Sequence, residues 1–213
     1  MTKTATPQPR PYHHGDLRRA LLGAAETVLG REGPAALSLR AVAREAGVSP
    51  AAPYHHFRDK SDLLASVAAD GFARLKDAMA QAVDGVAARE KGSRMGVAYV
   101  AFAQANPALY RIMYDCARDG AGLPEDAEAP DGAYRLVKDT LSEAAGGQLG
   151  ELDLELTAIA CWCAAHGLAE MSKFAKFEPL RVLLGGEQAF VQAVLGHIGV
   201  MRRPKSEGPS DTP

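Results

Sequence analysis

Residues 38–64, SLRAVAREAGVSPAAPYHHFRDKSDLL, decide how this 213-residue chain is to be read. Ser38 is a strong N-cap, and behind it Leu39, Val42, Ala43 and Ala46 recur at helical spacing. Gly47 stops that helix, because glycine takes positive φ at low cost. Val48 is the apolar plug of a tight turn, and Ser49-Pro50 is a second start signal, a hydroxyl cap followed by proline at the first helical position. The second helix is short and ends near Phe57, with Pro53 closing its first turn, where the missing N–H costs less than mid-helix. Asp59, with Asp62 three residues on, reads as a capping box that starts a third helix running towards Val83. Two short helices joined by about three residues are a helix-turn-helix, whose second helix can enter a major groove.

Bulk composition agrees with that reading. Hydrophobic residues make up 47% of the chain and aromatics 6%, so a core is affordable and is built mainly of aliphatics and alanine. The net charge of −2 says nothing by itself, but its distribution does. Residues 1–60 hold nine Lys/Arg against five Asp/Glu, and residues 61–213 hold fifteen against twenty-one. His13, His14, His55 and His56 add to the basic end. A nucleic-acid-binding head on an acidic body has this asymmetry. Cys116, Cys161 and Cys163 do not make a disulfide framework. No apolar run reaches membrane-spanning length and the first fifteen residues lack a signal-peptide core, so a soluble, cytoplasmic protein with no membrane partner is expected.

Taken together, Ser38-Leu39-Arg40, Ala43, Ala46-Gly47-Val48-Ser49, Tyr54, His56-Phe57, Lys60 and Leu63-Leu64 resemble the DNA-binding signature of the TetR family of regulators, over roughly residues 14 to 65. The pattern departs at Pro53, where the family usually has an aliphatic residue, and a proline there bends a recognition helix. The resemblance implies an all-α protein with an N-terminal three-helix head and a C-terminal helical body that binds an effector and dimerises. The expected divisions are a flexible arm at 1–13, the helix-turn-helix at 14–60, the body at 61–203 and a disordered tail at 204–213.

Within the head, phosphate contacts set position and base-edge contacts set sequence. The resemblance turns Ser38, Ser49, Tyr54, His56 and Lys60 towards the DNA backbone, and His55 faces phosphate or solvent. Arg40 is the candidate base reader, since its guanidinium fork matches the O6/N7 edge of guanine. Pro50, Ala51 and Ala52 offer apolar contact to a thymine methyl, or close backbone approach.

Asp16 caps a first helix whose face of Leu17, Leu21, Ala24, Ala25 and Val28 runs until Gly30 and Gly33. After the connector helix, the periodicity predicts helices near 94–105, 107–117, 131–145, 151–175 and 186–202, with an acidic loop at 118–130. Residues 161–171, CWCAAHGLAEM, resemble the tryptophan–histidine–glycine pattern of one TetR subfamily in Trp162, His166 and Gly167. Trp162 and His166 are four apart and share a helix face. They either line a ligand cavity or fill the core. Tyr99, Phe102, Tyr110, Met113 and Met171 complete the candidate ligand set on the same terms.

Cys161 and Cys163 point about 200° apart on an ideal helix, so they do not chelate one ion, and no metal or cofactor is expected. No phosphate-cradling glycine loop, nucleophile elbow or metalloprotease motif appears, which argues against an enzyme. The expectation is therefore a homodimeric regulator, a repressor released from a palindromic double-stranded DNA operator by a small hydrophobic or aromatic effector. The alternatives are an activator, a regulator answering a protein partner, or a small helical enzyme with an incidental helix-turn-helix.

Overall fold

A computed structural model describes residues 14–118 and 129–201. The proposed N-terminal arm, most of the acidic loop and the C-terminal tail lie outside the described residues, as do the side chains of Asp16 and Ile198. The described residues are helical throughout, with no strand. In chain order the helices are α1 (His14–Glu32), α2 (Leu39–Glu45), α3 (Lys60–Val83), α4 (Ala88–Ala105), α5 (Pro107–Arg118), α6 (Ala129–Ala144), α7 (Glu151–Met171), α8 (Glu178–Leu184) and α9 (Glu187–Met201). The chain divides into two compact units: residues up to 68 together with 108–118, and residues 69–107 together with 129–201.

In the first unit, α1 packs on α2, and Leu21, Ala25, Val28, Val42, Phe57 and Leu63 are almost wholly withdrawn from water. Helix α1 runs through Gly30, an expected stop, and ends at Gly33, whose φ is +78°. Ser38 is extended (φ −153°, ψ 158°) and its hydroxyl accepts the Ala41 N–H at 3.1 Å, so it caps α2. At the other end Gly47 takes φ +68°, the Val48 N–H bonds the Ala43 carbonyl at 3.0 Å, and the Gly47 N–H bonds that of Arg44 at 3.2 Å. These two bonds are the Schellman arrangement that satisfies the last carbonyls of a helix.

The second helix of the motif departs from expectation. In place of a regular helix over 49–57, the structure holds a single 3-10 turn, Ala52–His55. Pro53 has no N–H to give to the Ser49 carbonyl, and that carbonyl takes the Ala52 N–H instead, at 3.0 Å. Pro53 is itself buried, so the ring that breaks the α pattern also anchors the turn. The start of α3 is as expected: Asp59 Oδ1 accepts the Asp62 N–H and Asp62 Oδ2 accepts the Arg58 N–H, both at 2.9 Å.

The second unit is built around α4, which packs against α6, α7 and α9. Gly92 and Ser93, expected to precede this helix, lie inside it; Arg89, Glu90 and Lys91 before them are good helix formers and carry the helix through. Gly96 permits the closest crossing, because a Cβ there would stand 2.8 Å from Leu195 Cδ1 on α9. Helix α7 ends at Met171, short of the expected 175, and a 3-10 turn leads into α8, which the periodicity did not reveal. The Arg181 guanidinium secures that corner, donating to the Ser172 carbonyl and to Glu178 Oε2.

Candidate nucleic-acid interface and body cavity

Around the helix-turn-helix, Ser38, Arg40, Arg44, Ser49, Pro50, Ala51, Tyr54, His55 and Lys60 are all exposed, while Ala52 and His56 are half-buried. This surface rests on a stiff base. Phe57 is 1% exposed and lies under the Arg18 guanidinium at 5.7 Å, and Arg18 also donates to Ser66 Oγ at 3.2 Å. Arg40 and Arg44 are one turn apart on α2, so both guanidinium groups leave the same face. Tyr54, 55% exposed, presents its phenol to solvent instead of to the core. Lys60 Nζ donates to the Pro34 carbonyl at 2.8 Å, which fixes the ammonium near the loop between α1 and α2 and leaves it two further donors. Exposed donors on a rigid, cationic surface can hold phosphate oxygens and reach base edges.

The second unit contains a cavity of about 350 Å³, most of its lining apolar. From α4 come Arg89, Gly92, Ser93, Met95, Gly96 and Tyr99; from α6 come Val137, Thr140, Leu141 and Ala144. Helix α7 gives Cys161, Trp162, Ala164 and Ala165, while Met79 of α3 and Leu195 of α9 complete the walls. Gly92 and Gly196, where an added Cβ would meet nothing within 4 Å, and the alanines leave the space, because side chains this small do not reach across between facing helices. Trp162 sits edge-on between two tyrosines, with ring centroids 5.4 Å from Tyr99 and 5.8 Å from Tyr134. The Tyr99 hydroxyl lies 3.2 Å from His166 Nδ1.

Of the candidate ligand residues, Tyr99 and Trp162 line the cavity, and His166 stands behind Tyr99 without lining it. Phe102 and Met171 belong to the same unit but not to the lining; Met171 is 44% exposed. Tyr110 and Met113 belong to the first unit, where they are buried core, and Tyr110 packs against Tyr114 with ring centroids 4.9 Å apart. Sequence reasoning missed Arg89, Ser93, Thr140 and Cys161. Gly92, set among strong helix formers on α4, was the available signal for a void, whereas Gly96 one turn on marks close packing against Leu195. Cys161 lines the cavity whereas Cys163 is exposed, as their angular separation requires.

Two family models match: residues 21–67 fit the bacterial regulatory proteins of the tetR family, and residues 93–195 fit the tetracyclin repressor-like C-terminal domain. The chain belongs to the TetR family. A Rhodococcus sp. RHA1 protein of unknown function shares 36% identity with this TetR-family chain, over 89% of it and 96% of that protein, at a TM-score of 0.71. A tetR-family bacterial regulatory protein from Rhodococcus RHA1 shares 20% identity over 84% of this chain and 95% of its own, at a TM-score of 0.60. The TetR-family regulator PfmR from Thermus thermophilus is 19% identical over 84% of this chain and 96% of its own, at a TM-score of 0.61. The last two share the fold with this TetR-family chain. DNA-binding transcription regulation through a helix-turn-helix is thus this chain's role, and no described helix is long and apolar enough to cross a membrane.

Proposed function

We propose that this regulator is a cytoplasmic homodimeric repressor, released from a palindromic operator by a small, largely apolar effector held in the body cavity. The observation that carries the reading is the 350 Å³ apolar cavity inside the helical unit that follows the DNA-binding head. Its volume and composition are those of a small-molecule site. For release, the effector must bind the body conformation that is incompatible with DNA more tightly than the competent one.

Two heads are needed because one short recognition turn spans too few base pairs for a specific site. The outer face of α7 supports that assembly. Leu152, Leu156 and Ile159 are 70, 55 and 46% exposed and fall at helical spacing on one stripe.

In the head, Arg40 reads a base and Lys60 holds a phosphate. Arg40→Ala is expected to cost about 1–3 kcal/mol and to relax sequence preference at one position of each half-site. Lys60→Ala is expected to weaken all sequences alike and to lower the salt slope by about one ion. Competition binding on a series of operator variants separates the two. Equal, sequence-independent losses in both variants would remove Arg40 from the reading role.

A further inference from the structure

We infer that the effector of this cavity is an amphiphile with one anionic group, its apolar body inside and its charge at the mouth against Arg89. The inference rests on the proposal that the cavity is an effector site and adds the chemical class of what it takes.

The charge of the lining is one-sided. Among the described residues Arg89 is the one charged side chain that lines the cavity, and no carboxylate does. Its side chain is 84% exposed, which places the guanidinium at the opening and not in the interior. Its ion pair among the described residues is with its chain neighbour Glu90, at 3.4 Å, and that carboxylate is half exposed, so most of the guanidinium's donors stay available. Ser93, one turn further along α4, also lines the cavity and adds a hydroxyl on the same face.

The interior is poorly suited to a charge. Met79, Met95, Val137 and Leu195 offer no hydrogen bond, the Tyr99 hydroxyl is already engaged with His166, and the Thr140 hydroxyl, the Trp162 indole and the Cys161 thiol are neutral groups. A carboxylate or sulfonate carried fully inside would lose its hydration and find no cation to replace it. An ammonium at the mouth would meet Arg89 and be repelled. A neutral apolar molecule would fill the interior and leave the guanidinium unused. An anionic amphiphile satisfies both parts, with the guanidinium and the Ser93 hydroxyl positioned to receive a planar carboxylate.

The test uses the full-length protein and three probes of one chain length: decanoate, 1-decanol and decylamine. Each displaces the neutral fluorophore N-phenyl-1-naphthylamine, below its own micellar concentration. Decanoate is expected to bind three- to tenfold more tightly than decanol, with decylamine weakest. Because the contact lies at an exposed mouth, that preference is expected to shrink between 50 mM and 500 mM salt. In Arg89→Gln the decanoate-to-decanol ratio is expected to fall below twofold. Equal binding of decanoate and decanol by the wild type would overturn the anionic assignment while leaving the cavity as an effector site. A preference that persists in Arg89→Gln would overturn the role of Arg89. Failure of the fluorophore and all three probes to bind would remove the effector site itself.

Discussion

A methyl group at Gly96 would meet Leu195 Cδ1 at 2.8 Å, closer than carbon atoms tolerate. Two opposing effects therefore act on Gly96→Ala. Replacing glycine inside a helix favours folding by about 1 kcal/mol. Overpacking costs about 1–3 kcal/mol, towards the lower end here because the clashing atom is the end of a flexible side chain. The two nearly offset each other, and a net loss of less than about 1 kcal/mol is expected in urea unfolding. With Leu195→Ala in place the conflict disappears, and the same glycine replacement should stabilise the protein. A double-mutant cycle whose effects add within about 0.5 kcal/mol would mean that α4 and α9 do not cross as closely as described. The residue scale is also where sequence served best. Ser38, Gly47 and the Asp59–Asp62 pair each act as their chemistry requires, because capping is settled within a few residues of chain. Tyr110 and Met113 show the limit: helical spacing marks an apolar face but does not say which unit that face belongs to.

At the scale of elements, α6 and α7 are tied by a small polar cluster as well as by packing. Glu155 accepts the Tyr134 hydroxyl at 2.8 Å and the Lys138 ammonium at 2.5 Å. Lys138, followed by Tyr134, holds the Glu155 carboxyl below the usual glutamate range. Burial, with the Glu155 bond second, pushes the Tyr134 phenol up to about 12, and the bond to Glu155 raises Lys138. A carboxyl with a lowered folded value stabilises the fold above its unfolded value, about 4.3, and that contribution disappears as pH falls through the folded value. Lys138 has the opposite sense: its contribution is complete below its ordinary 10.5 and is lost as pH rises through its raised folded value. Thermal melts of wild type and Glu155→Gln should thus differ most near neutrality and converge below about pH 4. A gap in melting temperature that stays constant down to about pH 3 would show that the ion pair contributes nothing and that the glutamine merely packs differently. Element boundaries were the weaker part of the sequence reading, for identifiable reasons. Pro53 converts a foreseen helix into a 3-10 turn by withholding one N–H, and Gly92 sits inside α4 because its neighbours are strong helix formers. The cavity was legible only through Tyr99 and Trp162. Its walls come from five helices between Met79 and Gly196, and a void has no periodicity of its own.

For the molecule as a whole, the proposed homodimer turns on where two copies would meet. On the sequence alone, the small residues Ala160, Ala164 and Gly167 of α7 and the apolar Val191, Val194, Leu195 and Ile198 of α9 are candidate interface faces, Ile198 lying outside the described side chains. Ala164 lines the cavity, Leu195 packs on Gly96, and Val191 is 2% exposed, so these three are used within one chain. What remains outward on this face of α7 is Leu152, Leu156, Ile159, Ala160 and Cys163, an apolar stripe repeating every three or four residues that ends at the exposed carboxylate of Glu170 in the last turn. Leucines this exposed on a helix otherwise well packed mark an interface more than a solvated surface. Near a two-fold axis each substitution acts twice, so Leu156→Glu would place two carboxylates in an apolar contact. Light scattering at micromolar concentration is expected to give a dimer mass for the wild type and a monomer mass for Leu156→Glu, with far-ultraviolet circular dichroism unchanged. Binding to a palindromic operator should fall to the level of one half-site, and the salt slope should drop by about half as one head's phosphate contacts are lost. A dimeric Leu156→Glu variant with undiminished operator affinity would move the interface off this face of α7. A wild type that is monomeric yet binds the whole operator would overturn the homodimer itself.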